Sequence, residues 1–107
     1  MGLNERHYQL ALIRKIENLL PGCVILKNDP RHIQGMPDIL ILYSTTWAAL
    51  EVKLSSSANI QPNQEFYVNL LDDMSFASFI NPENEEDVLN DLQHAFGLTR
   101  SPRISEP

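Results

Sequence analysis

Three side chains in this sequence are spaced for chemistry on a phosphate ester: Asp38, Glu51 and Lys53. Asp38 opens an apolar run, Ile39 to Tyr43, while Glu51 and Lys53 close a second one that begins at Trp47. Both runs are rich in β-branched, aromatic and aliphatic residues, which predicts two strands of a hairpin. With the turn near Ser44 and Thr45, Tyr43 faces Thr46, and the same register sets Asp38 opposite Glu51. Directly opposed residues have Cβ atoms roughly 4.5–5.5 Å apart, so the two carboxylates can share a hard cation and repel each other without one. Alternation along the strand puts Lys53 on the face of Glu51 and turns Val52 toward the packed side. Such a trio suits metal-assisted hydrolysis of a phosphodiester. Asp38 and Glu51 would hold Mg²⁺, with the carbonyl of Val52 as a further ligand, and Lys53 would polarise the attacking water or offset charge developing on the phosphate.

The elements that must position this hairpin follow from periodicity and punctuation. Residues 3 to 20 predict a first helix, with apolar residues from Leu3 to Leu20 at broadly helical spacing, Asn4 as N-cap and Pro21-Gly22 as the stop. Glu5 falls in its first turn, where the helix dipole favours a carboxylate. Glu17 lies near its end, where solvent is expected. Cys23 to Lys27 predicts the first strand. It feeds a polar loop, Asn28 to Gln34, that delivers the chain to Gly35, a position suited to positive φ ahead of Asp38. Lys27, Arg31, His32 and Gln34 are the candidates here for contact with nucleic acid, the first two through backbone phosphate. His32 as a general base is weighed against a simple solvated loop histidine.

Beyond Lys53, a polar loop over 54–59 precedes a second helix from Gln61 to Leu71, with Pro62 in its first turn and Phe66, Val68, Leu70, Leu71 and Met74 as the expected apolar stripe. Phe76 to Ile80 predicts a fourth strand. Glu83 to Phe96 predicts a third helix that buries Val88, Leu89, Leu92 and Phe96 and ends at Gly97. Residues 1–97 are thus expected to form one α/β domain, followed by a flexible tail, 98–107, whose Arg100 and Arg103 could reach DNA or a second subunit.

Pro37, Asp38, Glu51, Val52 and Lys53, placed at the start of one strand and the end of the next, resemble the motif of the PD-(D/E)xK nuclease superfamily, in particular its small VRR-NUC-type and phage junction-resolving members. The resemblance spans about residues 5 to 96. It implies a restriction-endonuclease-like core of αβββαβ order, here with an extra C-terminal helix, dependence on Mg²⁺ or Mn²⁺, and, as in several branches, cleavage of branched or four-way junction DNA by a homodimer. It also implies a metal-binding role for Glu5, which with Gln9 resembles a Glu and Gln pair on the first helix. Gln64 stands where these nucleases carry a Gln that contacts the attacking water or a phosphate oxygen.

Composition bounds the alternatives. The chain has 107 residues, 43% of them hydrophobic and 21% charged, which is ordinary for one globular domain. No apolar run approaches the ~18 residues of a membrane span. A lone Cys23 offers no intramolecular disulfide or cysteine-based zinc site, in keeping with a reducing, cytoplasmic setting. The net charge of −6 runs against a nucleic-acid partner, but it is uneven. Residues 1–53 carry six Lys or Arg against five Asp or Glu, and residues 54–107 carry two against nine. The acidic half supports a rival reading, a non-catalytic DNA mimic or inhibitor on a nuclease-like fold.

Overall fold

The centre of the sheet is set by a two-residue turn. Ser44 adopts φ 56°, the positive value that a tight hairpin turn with right-handed strand twist requires. From it, β2 (Ile39–Tyr43) and β3 (Thr46–Val52) pair antiparallel, from Tyr43 with Thr46 to Ile39 with Leu50. The computed structural model describes residues 4–29 and 31–98. Around the hairpin lie α1 (Glu5–Leu19), β1 (Val24–Lys27), α2 (Pro62–Met74), β4 (Phe76–Ile80) and α3 (Glu85–Ala95). The sheet order is β1-β2-β3-β4, antiparallel except for the parallel β3–β4 pair, whose connection runs through α2 as a parallel pair demands. No described helix is long and apolar enough to cross a membrane.

The sheet divides two cores. On one face, Tyr8, Leu12 and Ile16 recur every fourth residue along α1 and, with Leu20, meet Ile39, Ile41, Leu50 and Val52 of the hairpin and Val88, Leu89 and Leu92 of α3. Tyr43 and Phe96 stack at 5.5 Å between ring centres and close that core at the end of α3. Tyr8 and Lys15 both reach the Glu85 carboxylate, which ties α1 to the start of α3. Burial, and then the Glu85 carboxylate, push the Tyr8 phenol well above its ordinary pKa, so it stays a hydrogen-bond donor. The other face is thin: Ala49 and Ala77 are small, and only Val68 of α2 is buried against them.

The architecture is the expected one, a single mixed α/β unit of αβββαβα order with element bounds displaced by one to three residues. The stripe on the second helix differs. Val68 and Leu71 face the sheet, whereas Phe66, Leu70 and Met74 are 57%, 37% and 63% exposed. The reason is geometric, since a helix seated over two alanines buries only a narrow strip of its surface. Leu98 packs against the larger core, and its N–H donates to the Gln93 carbonyl at 2.7 Å. The rest of the expected tail, with Arg100 and Arg103, lies outside the described residues.

One glycine links the loop before Asp38 to α2. Gly35 has φ +93°, and a Cβ there would lie 2.8–2.9 Å from Asn63 in the first turn of α2. Gly22 has a similar φ, +90°, with open space around it. Gly35→Ala should therefore cost about 1–3 kcal/mol in urea unfolding, more than Gly22→Ala, which bears backbone strain alone. Equal losses for the two variants would mean that the loop yields freely to Asn63.

Candidate active site

The hairpin register carries the two acids to the same end of the sheet. Pairing runs from Tyr43 with Thr46 to Ile39 with Leu50, and Asp38 and Glu51 are the next residues on the two chains. Both point to the α2 side, as do Leu40 and Ala49 two pairs further in. Asp38 is held from several sides. Its Oδ2 accepts the Val52 N–H at 2.9 Å, its own carbonyl accepts the Asn28 N–H at 2.8 Å, and the Asn28 amide donates to the Pro37 carbonyl at 2.6 Å. Glu51 is 4% exposed.

Lys53 and Gln64 complete the cluster. The Lys53 ammonium donates to Gln64 Oε1 at 2.9 Å and to the Asn59 carbonyl at 3.0 Å, and sits 3.9 Å from Glu51 Oε2. The Gln64 amide in turn donates to Glu51 Oε2 at 3.0 Å. Gln64 Oε1 also accepts the Gln61 N–H at 2.9 Å, as the N3 member of a capping box that begins α2. One side chain thus starts a helix and joins the lysine to the glutamate. The pattern Gln61-Pro62-Asn63-Gln64 carries that capping signal in the sequence.

Electrostatics show what this arrangement costs. Burial pushes the Glu51 carboxyl up to about 8, with the charges of Asp38 and Glu5 adding to the rise and Lys53 opposing it. Burial raises Asp38 as well, against the Val52 N–H bond and the charges of Lys53 and Lys27. A buried Glu51 and a half-buried Asp38 that resist ionising together are a donor set suited to a hard cation, whose charge would remove the repulsion.

The remaining candidates are placed less centrally. Glu5 is exposed in the first turn of α1, close enough for its charge to act on Glu51. Gln9, one turn further along, is 7% exposed. Among the described residues no three His, Cys, Asp or Glu side chains come together around one point, so the structure assembles two carboxylates and leaves Glu5 outside them. Val52 contributes its N–H to Asp38. Arg31 is tied to Asp29 through contacts of 3.0 and 3.1 Å, and its side chain stays 88% exposed. Lys27 is exposed and within electrostatic reach of Asp38. Gln34 is exposed, and His32 borders an apolar cleft instead of the carboxylates. Glu17 is exposed at the far end of α1.

No family model matches this chain, and no curated protein matches it in sequence. A solved structure described as a VRR_NUC domain protein is similar over 100% of this chain and 99% of its own, with a TM-score of 0.68 and 15% sequence identity. At that identity the likeness establishes the fold, three helices on a four-stranded mixed sheet.

The raised Glu51 carboxyl has a consequence for stability. Between its ordinary value of 4.5 and about 8, the folded protein holds a proton that the unfolded chain has released, so stability must fall as pH rises through that window. In EDTA, denaturant unfolding should show this decline for the wild type. Glu51→Gln should flatten it and be the more stable of the two at the alkaline end. Identical pH profiles would mean that Glu51 ionises normally in the fold.

Proposed function

We propose that this chain is a Mg²⁺- or Mn²⁺-dependent endodeoxyribonuclease that hydrolyses phosphodiester bonds, with branched or four-way junction DNA as its favoured substrate. The observation that carries the reading is the pair of half-buried Asp38 and buried Glu51 at one end of the hairpin, with Lys53 fixed beside it through Gln64. The likeness in fold to a VRR_NUC domain protein supports the same reaction class.

Asp38 and Glu51 would hold the cation. The chemistry it supplies when bound is Lewis acidity toward phosphate and water. Water adds to phosphorus, the bond to the leaving sugar oxygen breaks, and that oxygen takes up a proton. Lys53 has three N–H donors, two of them committed to Gln64 and Asn59. The third is free to orient the water or to bond a phosphoryl oxygen as charge accumulates on it. Gln64 fixes where that ammonium sits. Its own polar atoms are already engaged with Lys53, Glu51 and Gln61, so it acts by positioning its neighbours.

The choice of branched DNA rests on the sequence resemblance and on charge. A chain of net charge −6 gains little from non-specific attraction to duplex phosphate, which favours recognition of shape. A junction needs two symmetric cuts and one chain offers one site, so a homodimer is the working form. The acidic mimic is less well supported, because several of its acids serve the fold: Glu85 binds Tyr8 and Lys15, Glu83 accepts the Ser56 N–H, and Asp72 accepts the Ala77 N–H.

Incubation of the protein with junction, linear and plasmid DNA in Mg²⁺, Mn²⁺ or EDTA tests the activity. Asp38→Asn and Glu51→Gln should abolish both cleavage and Mn²⁺ binding by calorimetry. Lys53→Ala should retain the ion and lose roughly 10²-fold or more in rate. Wild-type turnover in the lysine variant would make Lys53 structural. In EDTA, Lys27→Ala should weaken DNA binding and lower the salt slope by up to ~0.9 logarithmic unit, whereas Arg31→Ala, already neutralised by Asp29, should change it less. The opposite ranking would move the DNA path to the loop.

A further inference from the structure

Lys53 is held by partners from different parts of the fold. Its N–H donates to the Ile80 carbonyl at 2.9 Å, which carries the parallel β3–β4 pairing one residue past Val52. Its ammonium donates to Gln64 on α2 and to the Asn59 carbonyl. The Asn59 carbonyl is the unexpected member of this set, because it belongs to a loop, 54–59, that lies outside any strand or helix. Something else must hold that loop still.

The loop is first folded on itself. The Ala58 N–H donates to the Ser55 carbonyl at 3.2 Å, and the Ser55 and Ser57 hydroxyls are 3.1 Å apart, so residues 55–58 close a turn that hands the chain to Asn59. Within that turn the Ser56 N–H donates to Glu83 Oε1 at 2.8 Å. Glu83 has a rigid mount of its own. Asn81 is 7% exposed, its Oδ1 accepts the Glu83 N–H at 2.8 Å and the Asn84 N–H at 2.9 Å, and its own N–H donates to Asn84 Oδ1 at 2.8 Å. Asn81 directly follows Ile80, whose carbonyl holds the Lys53 backbone. A ring therefore closes from the Lys53 backbone through the 81–84 turn, Glu83 and the 55–58 turn back to the Lys53 ammonium.

We propose that Glu83 is a positioning residue for Lys53: by clamping the Ser56 N–H it holds the 55–58 turn, and so keeps the Asn59 carbonyl where it fixes the ammonium beside Glu51. A carboxylate suits the task, since a charged acceptor makes a stronger bond to a backbone N–H than a neutral one. The Ser56 bond holds the Glu83 carboxyl below the usual carboxylate range, so the clamp stays charged at neutral pH. Service to the helix dipole falls to other acids. Glu85, Glu86 and Asp87 occupy the first turn of α3, whereas Glu83 precedes the N-cap Asn84 and gives its carboxylate to the loop. That Lys53 does chemistry rests on the nuclease reading; the ring of contacts does not.

With its side chain 15% exposed, Lys53 should react slowly with acetic anhydride, as read by mass spectrometry of the full chain in EDTA. Glu83→Ala should speed that acylation by roughly 5- to 10-fold, the scale of one charge-assisted hydrogen bond, with unchanged circular dichroism. Glu83→Gln, whose amide oxygen can still accept the Ser56 N–H, should label close to wild type, and so should Glu86→Ala, which removes a charge from α3 alone. On junction DNA in Mg²⁺, kcat should fall several-fold in Glu83→Ala with KM unchanged, and recover in Glu83→Gln. Wild-type labelling in Glu83→Ala, or a Glu83→Gln variant that labels as fast as Glu83→Ala, would overturn the clamp. A wild type that cuts no DNA while its Lys53 labelling responds to Glu83→Ala would defeat the nuclease reading alone, and cleavage by a protein whose Lys53 does not respond would defeat the clamp alone.

Discussion

Two carboxylates are forced together at the mouth of a hairpin, and much of the surrounding structure holds them there. Register does the forcing. A two-residue turn at Ser44 and Thr45 leaves no slack between Tyr43 and Thr46, and each further pair follows until Asp38 stands opposite Glu51. Slipping by one residue would turn Ile39, Ile41 and Leu50 out of the main core, so apolar burial at the hairpin's centre maintains like-charge proximity at its end. The Val52 N–H, the Gln64 amide and the nearby Lys53 supply partial compensation. It is incomplete, as the raised Glu51 carboxyl shows.

Gln64 ties this local problem to the tertiary fold. The capping box gives α2 its first turn, and its N3 residue is the group that spans Lys53 and Glu51. Asn63, one residue earlier, packs on Gly35, which leads into Pro37 and Asp38. Both acids and the lysine are therefore referenced to the same helix end, one through the loop and two through an amide. A site built on a strand end and a helix start inherits the rigidity of both. Gln64 is engaged there with Lys53, Glu51 and Gln61 at once.

The parts legible in the sequence are those fixed by short-range rules. The hairpin register followed from two apolar runs and the number of polar residues between them, and α1 followed from Tyr8, Leu12 and Ile16 with Asn4 as cap, whose Oδ1 accepts the His7 N–H. The illegible parts depend on what an element meets. Periodicity marked Phe66, Leu70 and Met74 as apolar on a helix, but which stripe faces the sheet was decided by Ala49 and Ala77, far away in sequence. Nothing in the spacing of Arg31 announces its bond to Asp29. Glu5 was assigned a turn of helix correctly, while its distance from the acid pair depends on how α1 sits on the sheet.

The charge asymmetry along the chain becomes, in three dimensions, an asymmetry between faces. Acids at the start of α3 belong to the layer packed with α1, and Asp38, Glu51, Lys53 and Lys27 belong to the opposite side of the sheet or its edge. A sheet and its packed helix are separated by about 10 Å, comparable with the screening length of ~8 Å at physiological salt. The charges that shift Glu51 are those of Asp38, Lys53 and Glu5, and those that shift Asp38 are Lys53 and Lys27; Glu86, Asp87 and Asp91 are not among them. Glu83 differs in place, since its bond to the Ser56 N–H brings it to the loop that follows Lys53. That bond holds its carboxyl below the usual range, so it stays ionised as a backbone clamp on the loop that supplies the Asn59 carbonyl to Lys53. Glu83, from the acidic half of the chain, thus serves to shape the loop beside the site.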